Sequence, residues 1–215
     1  MGILDGMKKI GGIHTFEDEA FLEWIARASL AVLLAGLIAC VAWYALSLVP
    51  GSWLPRFEVG RVLASGFAGG TRWVIALAAG LLLPLALHEL VHAVAFKAFA
   101  PKGSRVRFGA NWKQGMIYAC AEGIVYSRAQ YMVIALAPSA VVTCVLLLIG
   151  ICACWPLWTL ITVFAHLGGC TGDWGYVCHI RRDPSIAYCE DAAWGVQFYS
   201  AEGRADGGPD GDDGR

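Results

Sequence analysis

The sequence predicts an all-α polytopic membrane protein with about four transmembrane helices, and three observations carry that prediction. Of its residues, 58% are hydrophobic and only 15% are charged, where an ordinary soluble domain carries roughly a quarter charged residues. Four stretches reach the length of about 20 mostly apolar residues that a bilayer-crossing helix needs. Lysine and arginine are divided unequally among the segments joining those stretches, as orientation in a membrane requires.

Taken in order, Lys8 and Lys9 are followed by the acidic stretch "FEDEAFLE" before any apolar run begins. That order differs from a signal peptide, so residues 1–23 are expected to be an N-terminal cytosolic segment. Thr15, with Asp18 three residues on, marks a helix start, and the first span covers 24–49. Segment 50–72, "PGSWLPRFEVGRVLASGFAGGTR", reads either as an interfacial helix or as a re-entrant loop. The second span is 73–100. Partial alternation on both sides of "ANWKQG" predicts a small β-hairpin over 104–122, at the cytosolic face between the second and third spans. The third span is 129–155 and the fourth 157–180, joined so tightly at Pro156 that they should form an antiparallel pair. Pro84 and Pro138 fall inside spans, where neighbours can satisfy the freed carbonyl. Residues 24–200 thus read as one membrane-embedded domain. The remainder, 201–215, is acidic, Gly-rich and without aromatics, and is expected to be disordered.

Four spans place the N-terminus, the 101–128 segment and the C-terminus on one side. That side holds Lys8, Lys9, Arg27, Lys97, Lys102, Arg105, Arg107, Lys113, Arg128, Arg181, Arg182, Arg204 and Arg215, against only Arg56, Arg61 and Arg72 opposite. The positive-inside rule then puts both termini in the cytosol of a multi-pass cell-membrane protein. A net charge of −1 shows no nucleic-acid footprint. The eight cysteines lie mostly in apolar stretches and read as small buried hydrophobes rather than as a disulfide framework.

The second span contains "HELVH". On a helix, His88 and His92 project from one face a turn apart, which lets two imidazoles reach one tetrahedral ion at about 2.0–2.1 Å. Glu89 stands beside them, placed to take a proton from water activated there. This is the HExxH pattern of zinc peptidases. The competing reading is a buried Glu–His pair that locks helices together, but a glutamate in a lipid-spanning segment is costly and marks function by default.

A catalytic zinc usually takes three protein ligands and leaves one position open. In the fourth span, "FAHLGGCTGDWGYVCH" supplies Asp173, the one carboxylate in the other apolar spans. His88 lies a rise of about 22 Å from Trp73, and Asp173 about 24 Å from Leu157 if the span is helical. Both spans run the same way, so the two side chains should meet at one depth, in the cytosolic half. His166 is the rival ligand, but it lies about 10 Å from Asp173 along a helix. It reads more naturally as a hydrogen-bonding neighbour of the site or as a substrate contact. Cys170, Cys178 and His179 are further metal-binding types whose offsets do not single them out. The glycines around them let helices approach or bend the backbone.

With "HELVH", "LAPSA" and "HLGGCTGDWG" together, the chain resembles a family of small prokaryotic membrane proteins classed as zincin peptidases. The likeness extends over about residues 75–200 and includes "RVRFGANWKQGMIYA" and "WGVQFYS". The arrangement is also similar to the site-2 group of intramembrane metalloproteases, which pair an HExxH helix with an aspartate from a later span. Carried onto this chain, the resemblance implies His88, His92 and Asp173 as ligands of one zinc ion and Glu89 as the catalyst. The site-2 group sets its aspartate in an Asn/Pro-rich "DG" context, whereas Asp173 is followed by Trp174. The implied activity is hydrolysis of a peptide bond in a membrane-associated protein or peptide. Two other functions use the same residues: a non-catalytic metal sensor, and a module that binds membrane partners without cutting them. Zinc is favoured over iron or cobalt by imidazole–carboxylate ligation.

Overall fold

The structure, a computed structural model, describes residues 7–104, 107–111, 116–121 and 123–201. Strand β1 (Met7–His14) leads into helix α1 (Glu19–Ser47), and a short α2 (Val59–Ala64) precedes the long α3 (Gly66–Phe99). Strands β2 (Arg107–Asn111), β3 (Met116–Cys120) and β4 (Val125–Ser127) follow, then helices α4 (Arg128–Ala153), α5 (Pro156–Gly169) and α6 (Thr171–Arg182). Strands β5 (Tyr188–Ala192) and β6 (Gly195–Ala201) end the fold.

Three of these helices, α1, α3 and α4, are long and apolar enough to cross a membrane. Their outward faces carry Leu37, Ile38, Leu82, Leu83 and Ile151, all exposed. So much contiguous apolar surface is foreign to a soluble monomer and is what lipid would cover. The stretch read as a fourth span is split into α5 and α6 at Cys170. There the break frees the Gly168 carbonyl, which accepts from Ser29 Oγ at 2.9 Å and Thr171 Oγ1 at 3.1 Å. The bundle is drawn tight by residues lacking a side chain. A Cβ on Gly36 would lie 2.6 Å from Phe164 Cβ, and one on Gly80 2.5 Å from the Trp158 ring, so α5 packs closely on both α1 and α3.

Segment 50–72 resolves into a largely exposed turn, α2 and the first turns of α3. Glu58, fully buried, accepts from Trp73 Nε1 (2.9 Å), from Leu157 N (3.0 Å) and from Trp158 N (2.9 Å). A carboxylate from one loop therefore caps the first turn of α5, whose N–H groups have no partner within the helix and whose dipole favours negative charge there. The same carboxylate ties that turn to α3.

The all-α expectation needs correction at the other end of the bundle. A four-stranded antiparallel sheet of order β1-β6-β5-β4 forms there, alongside the separate β2–β3 pair. β1 lies along β6, with Met7 opposite Ala201 and His14 opposite Gly195. In the β2–β3 pair Arg107 stands opposite Cys120 and Asn111 opposite Met116. Helix α1 starts at Asp18, whose Oδ1 accepts from Phe21 N at 2.9 Å, and not at Thr15, whose N–H bonds the Trp194 carbonyl instead. The sheet's inner face builds the larger core with α3, α4 and α6, through Ile13, Phe96, Tyr126, Tyr131, Ile180 and Phe198. Arg128 stitches the end of α6 to the start of α4 by donating to the carbonyls of Arg181, Asp183 and Ile186. Lys113, Arg105 and the expected disordered tail beyond 201 lie outside the described residues.

Candidate metal centre

Helix α3 carries His88 and His92 one turn apart, and their Nε2 atoms lie 3.1 Å from each other. The opposing element is α6, which begins just past the Cys170 break and bears Asp173 in its first turn. Asp173 Oδ2 lies 3.2 Å from His88 Nε2 and Oδ1 3.4 Å from His92 Nε2. Two imidazoles four residues apart thus meet a carboxylate that lies 81 residues beyond the second of them.

Those distances can be tested against a metal. Four ligands placed tetrahedrally at about 2.0–2.1 Å from a zinc ion stand about 3.3 Å from one another. The observed separations of 3.1, 3.2 and 3.4 Å bracket that value. Nitrogen and carboxylate oxygen are also the donor types that zinc takes in sites that keep one position open. The residues present fit the ion. Side-chain exposures of 14% for His88, 11% for His92 and 17% for Asp173 show that the cluster is sheltered without being sealed.

Glu89 is half-buried on the same turn, and its charge acts on His92 and on Asp191 of β5. His166 is buried on α5 on the far side of His88, with ring centres 5.7 Å apart. Its Nε2 lies 3.3 Å from the Pro138 carbonyl and 3.5 Å from Cys170 Sγ, and Cys170 Sγ lies 3.7 Å from His88 Nδ1. His88, His166 and Cys170 therefore form a second possible donor set that shares one imidazole with the first. The break at Cys170 brings this thiol to His88, which residue offsets on a straight helix did not reveal. Trp174, next to Asp173, donates from Nε1 to Ser139 Oγ at 2.8 Å and holds the first turn of α6 against α4.

Sequence reasoning missed Asp191. It sits on β5 opposite Val196 and accepts from Tyr131 Oη at 2.9 Å. Burial pushes its carboxyl up to about 7, against the Tyr131 hydrogen bond and the charge of His92, which favour ionisation. No signal in the sequence marks it, because its place depends on the sheet folding back onto α4.

Comparison with curated proteins and with solved structures gives no match. A family model described as "Putative zincin peptidase" matches residues 81–188, from the turn before HELVH to the first residue of β5. Half of the chain lies within that match, including His88, Glu89, His92 and Asp173, and the chain belongs to this family.

Proposed function

We propose that the protein is an intramembrane zinc endopeptidase that hydrolyses a peptide bond of a membrane-associated protein or peptide. The observation that carries the reading is the convergence of His88 Nε2 and His92 Nε2, 3.1 Å apart, on the Asp173 carboxylate, whose Oδ2 lies 3.2 Å from His88 and whose Oδ1 lies 3.4 Å from His92. The family implies zinc, and these three residues would hold it. When bound, zinc supplies a Lewis acid that acidifies water and polarises a carbonyl. Glu89 accepts the proton of the attacking water and hands it to the leaving amine. His88 and His92 stay neutral so that their Nε2 lone pairs remain available, and Asp173 contributes the negative charge.

In this reading α5 and α6 together make the fourth span, and the Lys/Arg bias sets both termini in the cytosol. The sheet and the β2–β3 pair then lie at the cytosolic face, below the centre. An extended substrate segment is held by main-chain pairing along an open strand edge, a general way of binding an unwound peptide.

The test is Glu89→Gln in purified protein reconstituted with a transmembrane substrate. It should keep zinc while peptide cleavage falls by roughly 10²–10⁴-fold; equal turnover would end the mechanism. The Cys170 thiol favours one second reading, a non-catalytic metal sensor holding its ion through His88, His166 and Cys170. Cys170→Ser separates the two: it should leave zinc binding intact in a peptidase and abolish it in that sensor.

A further inference from the structure

His92 presents Nε2 to Asp173 and to His88, while its other ring nitrogen, Nδ1, is buried with no hydrogen-bond partner among the described residues. That orphan matters for a residue meant to hold a cation. An imidazole that gives one nitrogen to a metal must carry its proton on the other, and a buried N–H without an acceptor costs about 1–3 kcal/mol. Metal-binding histidines almost always direct that second N–H at a carboxylate, a carbonyl or a water, and the acceptor fixes both tautomer and ring orientation.

A carboxylate of this kind stands close by, on an element that joins the site only through the sheet. Asp191 is anchored by Tyr131 Oη through its Oδ1, at 2.9 Å. Tyr131 is itself fully packed in α4, and its ring neighbours Phe96 (6.5 Å between centres), which neighbours the His92 ring in turn (6.1 Å). The charge of Asp191 acts on His92, Asp173 and Glu89, and the run of rings from Tyr131 through Phe96 to His92 links its anchor to the His92 end of the cluster. Asp191 is half-buried, on a strand whose neighbours Cys189 and Val196 belong to the apolar core, and keeping a carboxylate there is expensive.

We propose that Asp191, oriented by Tyr131, is a positioning residue for the metal centre: its carboxylate accepts, through one bridging water, the hydrogen bond that His92 Nδ1–H donates. The inference rests on the metal-site reading above and deepens it. It assigns the C-terminal sheet a role, since β5 carries this carboxylate back to Tyr131 of α4.

The experiment measures zinc affinity by chelator competition in detergent micelles for wild type, His92→Ala, Asp191→Ala, Asp191→Asn and Tyr131→Phe. It adds ¹⁵N-imidazole NMR of the zinc-loaded protein. Removing an outer carboxylate of this kind weakens metal binding by about 10–100-fold, which is the loss expected for Asp191→Ala. Asp191→Asn keeps the side-chain shape and an acceptor, and should lose less, while Tyr131→Phe should lose least. In wild type the His92 Nδ1 proton should resonate as a strongly hydrogen-bonded one and move upfield in Asp191→Asn. A merely structural role for Asp191 would lower thermal stability without moving that resonance. Wild-type affinity and an unmoved resonance in Asp191→Asn, with zinc lost in His92→Ala, would overturn this inference alone. Zinc retained in His92→Ala would instead overturn the site reading on which it rests.

Discussion

Replacing Glu58 should loosen the whole centre, although Glu58 lies at the opposite end of the bundle. The carboxylate accepts three hydrogen bonds, with Oε1 shared by Trp73 Nε1 and Trp158 N and Oε2 taken by Leu157 N. Trp73 is on α3, fifteen residues before His88, and Leu157 is on α5, sixteen residues before Asp173. One side chain therefore sets the register of the two elements whose far ends must meet. In Glu58→Ala three donors, one buried and two part-buried, lose their acceptor. Hydrogen bonds to charged groups contribute about 1.5–3 kcal/mol each, and some water will replace the lost oxygen atoms, so a cost of about 3–5 kcal/mol follows. Glu58→Gln retains a carbonyl for Trp73 and Trp158 but turns an NH₂ group towards Leu157 N–H. One bond is lost and two donors face each other, for about 1.5–3 kcal/mol. Reversible unfolding in mixed micelles, read by tryptophan fluorescence, gives both numbers, and zinc affinity should fall alongside. If Glu58→Ala lay within about 1 kcal/mol of wild type, or if Gln cost more than Ala, the capping argument would be wrong.

Two further outcomes follow from the packing and from the buried acid. Gly80→Ala would push a methyl to 2.5 Å from a Trp158 ring that is pinned by its Nε1 bond to the Ala76 carbonyl. Overpacking of this kind costs about 1–3 kcal/mol, measurable in the same micelle assay, and Gly80→Leu should cost more. Burial holds the Asp191 carboxyl at about 7 in the folded chain, above an unfolded value of about 3.9. The folded state thus binds more protons across that window, and the stabilisation present below pH 4 is lost as pH rises through 7. Metal-free Asp191→Asn should show a flatter stability profile from about pH 4 to 7 and exceed wild type by a few kcal/mol at most at pH 8. An unchanged slope in that variant would contradict the assignment.

Three of the four apolar runs were legible from composition and coincide with helices long and apolar enough to cross a membrane, although α3 begins seven residues earlier than expected and the fourth run is broken at Cys170. The depth match of His88 with Asp173 was legible for a more particular reason. Trp73 and Leu157, from which the rises were counted, are the residues that Glu58 joins. Glu58 itself read as loop, since nothing local tells a capping carboxylate from a solvated one. The sheet was missed because β1, "MKKIGGIH", has glycines and lysines where a strand shows apolar alternation. Its partner β6 lies at the far end of the chain, and such pairing leaves no local trace. Asp191 was invisible for the same reason, and Cys170 because a straight helix hides what a break exposes.

The most direct measurement is zinc per chain in protein purified from membranes and dialysed against a weak chelator, for wild type, His88→Ala, Asp173→Ala and Glu89→Gln. Wild type and Glu89→Gln should each retain about one ion, and the two ligand variants almost none. Full occupancy in Asp173→Ala, at wild-type affinity, would contradict the claim that α3 and α6 share a single cation.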